Sequence, residues 1–282
     1  MMNAIEVRDL KKQFQNFLLD GISFDVPSGY VCGFIGQNGA GKTTTIKLML
    51  GMAIKDSGEI QILGKPSEDV AIKESLGVLF DSTFYMPHWT PLDIESSLRP
   101  FYGSWNSAKY HGYLDRFGLS PRQKVKTLSR GMKMQLGIAV ILSYDTKLLL
   151  LDEPTSGLDP VIRDQMLDLF KEYVMDENRS IFFSSHITGD IEKVADYIVY
   201  IHRGKIFFSG PKDELMEKYC VIRGGKDDLK QDSIGQIIGI RQHLGGFEGL
   251  IKVSDIGGFG QGVVMEKASL DDIMVHINRE GV

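Results

Sequence analysis

Gly36-Gln37-Asn38-Gly39-Ala40-Gly41-Lys42-Thr43 puts a lysine and a hydroxyl directly after a glycine-rich loop, between an apolar run at 30–35 and a helix-like run at 43–50. Glycines at both ends of GxxxxGK[ST] let the backbone curl until several N–H groups converge on phosphate oxygens, and the helix that follows adds its positive dipole end. In such a cradle Lys42 reaches the β and γ phosphates of a nucleotide as a point charge, and Thr43 offers the hydroxyl that Mg²⁺ needs. Asn38, Gly39 and Thr44 belong to the same phosphate-facing stretch, which Gly36 and Gly41 bound.

A second reactive group follows downstream. Leu148-Leu149-Leu150-Leu151-Asp152-Glu153 is an apolar strand delivering adjacent carboxylates at its C-terminal end, the edge where open α/β sheets bind ligands. Alone, such carboxylates can end a buried strand merely by reaching solvent. With a phosphate loop upstream they form a site, in which Asp152 holds Mg²⁺ through water and Glu153 is the base that polarises the attacking water. Leu128-Ser129-Arg130-Gly131-Met132 precedes a predicted helix, so Ser129 by itself reads as an N-terminal cap and Gly131 permits close backbone approach. Ser156-Gly157-Leu158-Asp159 and Ser184-Ser185-His186 complete an ordered set; alone, His186 reads as a polar cap on the helix beginning at Ile187.

These residues need a scaffold. Runs 4–10 and 22–26 alternate apolar with polar residues and predict strands with one solvated face, while 30–35 predicts a buried strand entered through the turn Pro27-Ser28-Gly29. After the 43–50 helix come a strand at 59–63, a helix at 70–75 and a buried strand at 77–80. Helices at 92–102, 107–117 and 131–142, with no strand among them, predict an all-helical insertion. Alternation resumes with a strand at 147–151, a long helix after Pro160, a strand at 180–184 and the segment 197–202, which predicts an α/β fold with mostly parallel central strands. Around Tyr219 the texture changes to glycine-rich, short apolar runs closed by a helix at 269–278. The predicted division is therefore 1–218, with a helical subdomain at about 82–142, and a small α+β appendage at 219–282. The glycine-rich stretch 257–262 predicts a flexible hairpin rather than a second nucleotide loop, since no helix with a phosphate-binding lysine follows.

The 282 residues, 43% hydrophobic and 24% charged, suit one sizeable α/β core plus that appendage. A net charge of −5 and the absence of any long basic stripe argue against nucleic acid as a partner. No run of about 18 apolar residues is present to span a membrane, and the polar N-terminus lacks a signal-peptide core, so a cytoplasmic location is expected. Two cysteines, Cys32 and Cys220, are too few and too far apart for a disulfide framework or metal site.

The order of phosphate loop, Leu-Ser-x-Gly, strand with Asp-Glu-Pro, Ser-Gly-Leu-Asp and Ser-Ser-His resembles the nucleotide-binding subunit of ATP-binding cassette (ABC) transporters, over residues 4–211. The resemblance implies a P-loop NTPase fold with a mostly parallel central sheet, an N-terminal antiparallel β-subdomain and a helical insertion, binding ATP and Mg²⁺. It implies that two cassettes, in a homodimer or heterodimer, pack head to tail, with Ser129 and Gly131 of one touching the γ-phosphate held by Lys42 of the other. It makes Glu153 the catalytic base, His186 the contact to the γ-phosphate and attacking water, Asp159 a communicator across the interface, and Thr43 and Asp152 metal ligands. Phe14 falls where the family stacks an aromatic on adenine; a core phenylalanine is the other reading.

Two departures from the family pattern stand out. Asp81 occupies the place of a usual glutamine, and Leu-Ser-Arg-Gly-Met replaces Leu-Ser-Gly-Gly-Gln. Asp81 can still accept from a Mg²⁺-bound water, which keeps it among the expected metal ligands. The function implied is an ATPase powering a separate membrane permease from the inner face of the cell membrane, with the helical insertion as docking surface; its aromatics Phe84, Tyr85, Trp89, Phe101, Tyr102 and Trp105 suit a pocket for a partner's short helix, although most of them read individually as core. The stretch 101–105, the Gly-Met-Lys variant and the appended region look like bacterial exporters of antibiotics or amphipathic peptides, phenol-soluble modulin exporter ATPases among them. The alternative is a soluble cassette ATPase of translation or DNA repair, which the single cassette, lack of heptads and acidic balance disfavour.

Overall fold

The computed structural model describes residues 2–81, 85–229, 231–259 and 262–279, and divides into two compact units, Met1–Ser209 and Gly210–Val282. In the first unit the alternating segments pair as an antiparallel sheet. β1 (Asn3–Phe14) pairs with β2 (Phe17–Pro27), turning Ile5, Val7 and Leu10 inward where water is excluded. The next strand, β3 (Val31–Ile35), is buried along its whole length and leads through the glycine loop into α1 (Lys42–Met49). β4 (Ser57–Ile62) and the two-residue β5 (Lys65–Pro66) then complete the sheet in the order β2-β1-β4-β5.

Beyond β6 (Leu76–Leu79) the chain forms the helices α2 (Pro91–Leu98), α3 (Ser107–Arg116) and α4 (Arg130–Ile141). They enclose a core of Ile94, Tyr110, Leu114 and Leu136, with Tyr85, Trp89 and Trp105 packed against it and Tyr102 stacked on Tyr144. Phe101 instead is 74% exposed, and Ser82 and Phe84 lie outside the described residues.

The α/β part resumes with β7 (Leu148–Asp152), α5 (Pro160–Val174), β8 (Ser180–Ser185), α6 (Thr188–Val194), β9 (Tyr197–His202) and β10 (Lys205–Pro211). The six-stranded sheet runs β10-β9-β3-β8-β7-β6, and the four pairs among β9, β3, β8, β7 and β6 are parallel. Parallel pairing needs long crossovers, and strands covered on both faces must be largely apolar, as β3 is and as β7 is up to Asp152.

The second unit holds α7 (Lys212–Lys218), β11 (Tyr219–Gly224), β12 (Ile238–His243), β13 (Gly246–Lys252), β14 (Val264–Lys267) and α8 (Leu270–Arg279). Its sheet, β12-β13-β11-β14, is antiparallel. α8 lays Leu270, Ile273, Met274 and Ile277 on β12 and β13, the spacing of a single helix face.

Three local expectations change. The helix expected over 92–102 stops at Leu98 and continues as a 3₁₀ turn, Arg99–Phe101, because Pro100 has no N–H to give and its ring crowds the preceding turn. The segment Val70–Ser75 is also a 3₁₀ turn, started by Asp69, whose carboxylate accepts from Ala71 N at 2.8 Å. β10, which the sequence pattern does not predict, adds an edge strand beside β9. The glycine-rich stretch at 257–262 begins within the 3₁₀ turn Val253–Gly258, and Gly260 and Gln261 lie outside the described residues. Both cysteines are free and buried, and burial pushes their thiols up, away from thiolate chemistry.

Candidate functional site

The loop between β3 and α1 can only be built from glycine at its ends. A Cβ on Gly36 would stand 2.4 Å from the Ile201 carbonyl oxygen, and one on Gly41, whose φ is +115°, would stand 2.8 Å from the Phe17 ring. α1 starts immediately after Gly41 with no side chain capping it, so its first N–H groups are free to meet an anion.

Lys42, the first residue of α1, is 6% exposed. Its ammonium donates to Gly36 O at 2.7 Å and Gln37 O at 3.4 Å, and stands 3.3 Å from Glu153 Oε1. A buried cation needs such partners, and these hold it at the mouth of the loop. Thr43 Oγ1 donates to Asp152 Oδ2 at 2.8 Å.

The carboxylate pair at the end of β7 is held by β8. The parallel register sets Asp152 opposite Ser184, whose hydroxyl donates to Asp152 Oδ1 at 2.7 Å and accepts from Glu153 N at 2.9 Å. Glu153 sits at φ +52°, a left-handed conformation that costs a non-glycine residue about 1–2 kcal/mol. Three contacts hold it there: the Ser184 hydroxyl, Lys42, and His186. His186 Nδ1 lies 2.6 Å from Glu153 Oε2, which places the ring proton on Nδ1 against the carboxylate, and His186 N donates to the same oxygen at 3.3 Å. The cap reading of His186 does not hold, since α6 begins at Thr188 with no side-chain cap.

An open cleft of about 520 Å³ gathers most of the predicted residues: Phe14, Asn38, Gly39, Gly41, Lys42, Thr43, Thr44, Asp81, Glu153 and His186. Phe14 is 41% exposed there and so is not a core residue; its ring centroid is 6.4 Å from that of Phe17 and carries Lys12 Nζ at 5.6 Å. Asp152 lies just behind, buried and reached through Thr43. A hydroxyl and two carboxylates close to an uncapped helix start form a hard oxygen donor set, which fits Mg²⁺ bound together with phosphate. Asp81 is also paired with Arg130.

Ser129, Gly131 and Asp159 do not line this cleft. Ser129 caps α4, accepting from Met132 N at 3.2 Å, and Asp159 caps α5, accepting from Val161 N and Ile162 N at 3.1 Å each. A Cβ on Gly131 would come within 3.0 Å of Ile162 Cδ1, so the glycine lets the two helix starts approach.

Two contributors carry no signal in local spacing: the role of Ser184 beyond its motif depends on strand register, and the partner of Arg130 lies 49 positions away.

Comparison with known proteins agrees with this geometry. A family model described as ABC transporter matches residues 19–156. The bacitracin transport ATP-binding protein BcrA of Bacillus licheniformis is 34% identical over 223 residues, 77% of this chain and 73% of that protein. The lantibiotic transport ATP-binding protein SrtF of Streptococcus pyogenes is 32% identical, over 74% of this chain and 91% of that one. An ABC transporter ATP-binding protein of a Nostoc strain is 35% identical over 70% of this chain, which spans 61% of that relative's length. Among solved structures, the ATP-binding subunit of an ABC transporter superposes with a TM-score of 0.66 at 26% identity, covering 75% of this chain and 91% of its own.

Proposed function

Because the chain belongs to the ATP-binding proteins of ABC transporters, we propose that it hydrolyses ATP and delivers the resulting motion to a separate membrane permease. The observation that carries this reading is the Glu153 carboxylate, held between Lys42 and His186 at 3.3 and 2.6 Å on the wall of the phosphate-loop cleft.

The loop N–H groups and Lys42 hold the β and γ phosphates, and Phe14 stacks on the adenine. Thr43, Asp152 and Asp81 would hold Mg²⁺, which when bound neutralises charge between the phosphate oxygens. Glu153 accepts the proton of the attacking water, and His186 orients that water and touches the γ-phosphate. Ser129 and Gly131 of a second cassette complete the site from the opposite side, at the start of a helix whose dipole favours phosphate, and Asp159 communicates across that seam. Closure on ATP and opening after hydrolysis follow from gaining and losing that charge bridge.

Among the described residues no helix is long and apolar enough to cross a membrane, which suits a motor that acts on another chain. A largely apolar groove of about 390 Å³, lined by Met49, Met52, Tyr85, Leu98, Tyr102 and Tyr144 where the helical insertion meets the core, suits a short helix of the permease on the inner face of the membrane. The bacitracin and lantibiotic relatives support an exporter of antibiotics or amphipathic peptides.

The test is Glu153→Gln, which removes the base while keeping shape. ATP binding stays within a few-fold of wild type and steady-state hydrolysis disappears; unchanged turnover overturns the assignment.

A further inference from the structure

The two places where the chain departs from its family's pattern touch each other. Arg130, in the first turn of α4, pairs its Nη2 with Asp81 Oδ1, just beyond β6. The guanidinium also lies against Gly157, in the segment following Asp152 and Glu153: a Cβ there would stand 2.8 Å from Nη1, and the glycine's φ of +68° suits its place. Arg130 thus ties the start of α4, which stands outside the cleft, to two segments that border it through Asp81 and Ser156, and its carboxylate partner is itself a cleft wall together with Thr43 and Glu153.

The Asp81 side chain therefore has two claimants. A guanidinium bonded to one of its oxygens occupies part of the donor set a divalent ion would use and sets a positive charge beside that ion's place, where like charges repel. The pair is about half exposed on both sides, 48% and 52%, so it is weak and screened, and a doubly charged ion can displace it.

We propose that Arg130 is a positioning residue that competes with the nucleotide's divalent metal for Asp81, so that metal loading at the cleft and release of the first turn of α4, which carries Ser129 and Gly131, are one exchange. The inference rests on the reading of Asp81 as a metal ligand. It makes the paired departures a single device: the aspartate supplies the ligand, and the arginine sets how much that ligand is worth.

The measurement is the affinity of the full-length chain for the non-hydrolysable analogue adenylyl imidodiphosphate, taken once with Mg²⁺ and once with EDTA; the ratio of the two reports the metal's contribution. Arg130→Gln should raise that ratio about three- to fivefold, the upper part of the range a half-exposed ion pair allows. Arg130→Lys, which keeps the charge, should leave it within about twofold of wild type. Asp81→Asn should lower the ratio and cancel the gain in the double variant. An unchanged or smaller ratio in Arg130→Gln overturns the competition. A wild-type ratio in Asp81→Asn overturns the metal reading itself, so the two failures are distinguishable. Equal weakening of Arg130→Gln in Mg²⁺ and in EDTA would mean that Arg130 binds phosphate directly, which also refutes the proposal.

Discussion

Ser184→Ala tests whether the β7–β8 register builds the site. The Ser184 hydroxyl is buried, donates to Asp152 Oδ1 at 2.7 Å and accepts from Glu153 N at 2.9 Å, so alanine removes both bonds and adds none. A hydrogen bond to a charged group is worth about 1.5–3 kcal/mol, and a buried N–H left unpaired costs about 1–3 kcal/mol. Thr43 still bonds Asp152 at 2.8 Å, which limits the first loss, and a total of about 2–4 kcal/mol follows. The left-handed backbone at Glu153 loses one of its three restraints, so the carboxylate drifts from its place beside His186. A displacement approaching 1 Å costs on the order of 10- to 100-fold in kcat, with ATP affinity much less affected. The assay is chemical denaturation following the transition that nucleotide stabilises, which singles out the unit that binds it, alongside steady-state phosphate release. Ser96→Ala is the control, since its exposed hydroxyl only bonds back to Leu92 O and its loss should stay within about 0.5 kcal/mol. If Ser184→Ala matches that control in stability and keeps wild-type turnover, register does not position the base and the account of Glu153 fails.

Phe14→Ala should weaken ATP about three- to tenfold, the loss of one aromatic stack, while leaving competition by inorganic tripolyphosphate unchanged; equal loss for both ligands would remove the adenine role. Acid stability should respond at α2, where the Thr90 backbone N–H and then its hydroxyl hold the Asp93 carboxyl below the usual range. A lowered folded pKa contributes stability that is complete above the unfolded value of about 3.9 and is lost as pH falls through the lowered value, so Asp93→Asn should flatten that acid limb in thermal scans; superimposable acid limbs would refute it.

Much of the site could be read from the chain because its geometry is local. The phosphate loop lies within eight consecutive positions, and Gly36 and Gly41 were legible because no Cβ fits there. β3 and β7 were legible as unbroken apolar runs, the mark of strands covered on both faces, and α8 as a repeating apolar stripe. The break at Pro100 was visible in principle, since a proline inside an expected helix ends it, and the apolar periodicity on either side hid it. β10 offered a weaker signal, because an edge strand needs only one buried face and short exposed runs carry little pattern.

The order of residues along the chain is enough to say which chemistries are present: a phosphate cradle, a metal-binding hydroxyl, paired carboxylates and a histidine. Which of them meet depends on packing. Ser184 reaches Asp152 because two parallel strands align at one register, and Arg130 reaches Asp81 because α4 starts beside the end of β6. Register and helix placement come from burying apolar faces across the whole unit, a sum over distant residues that no local spacing encodes.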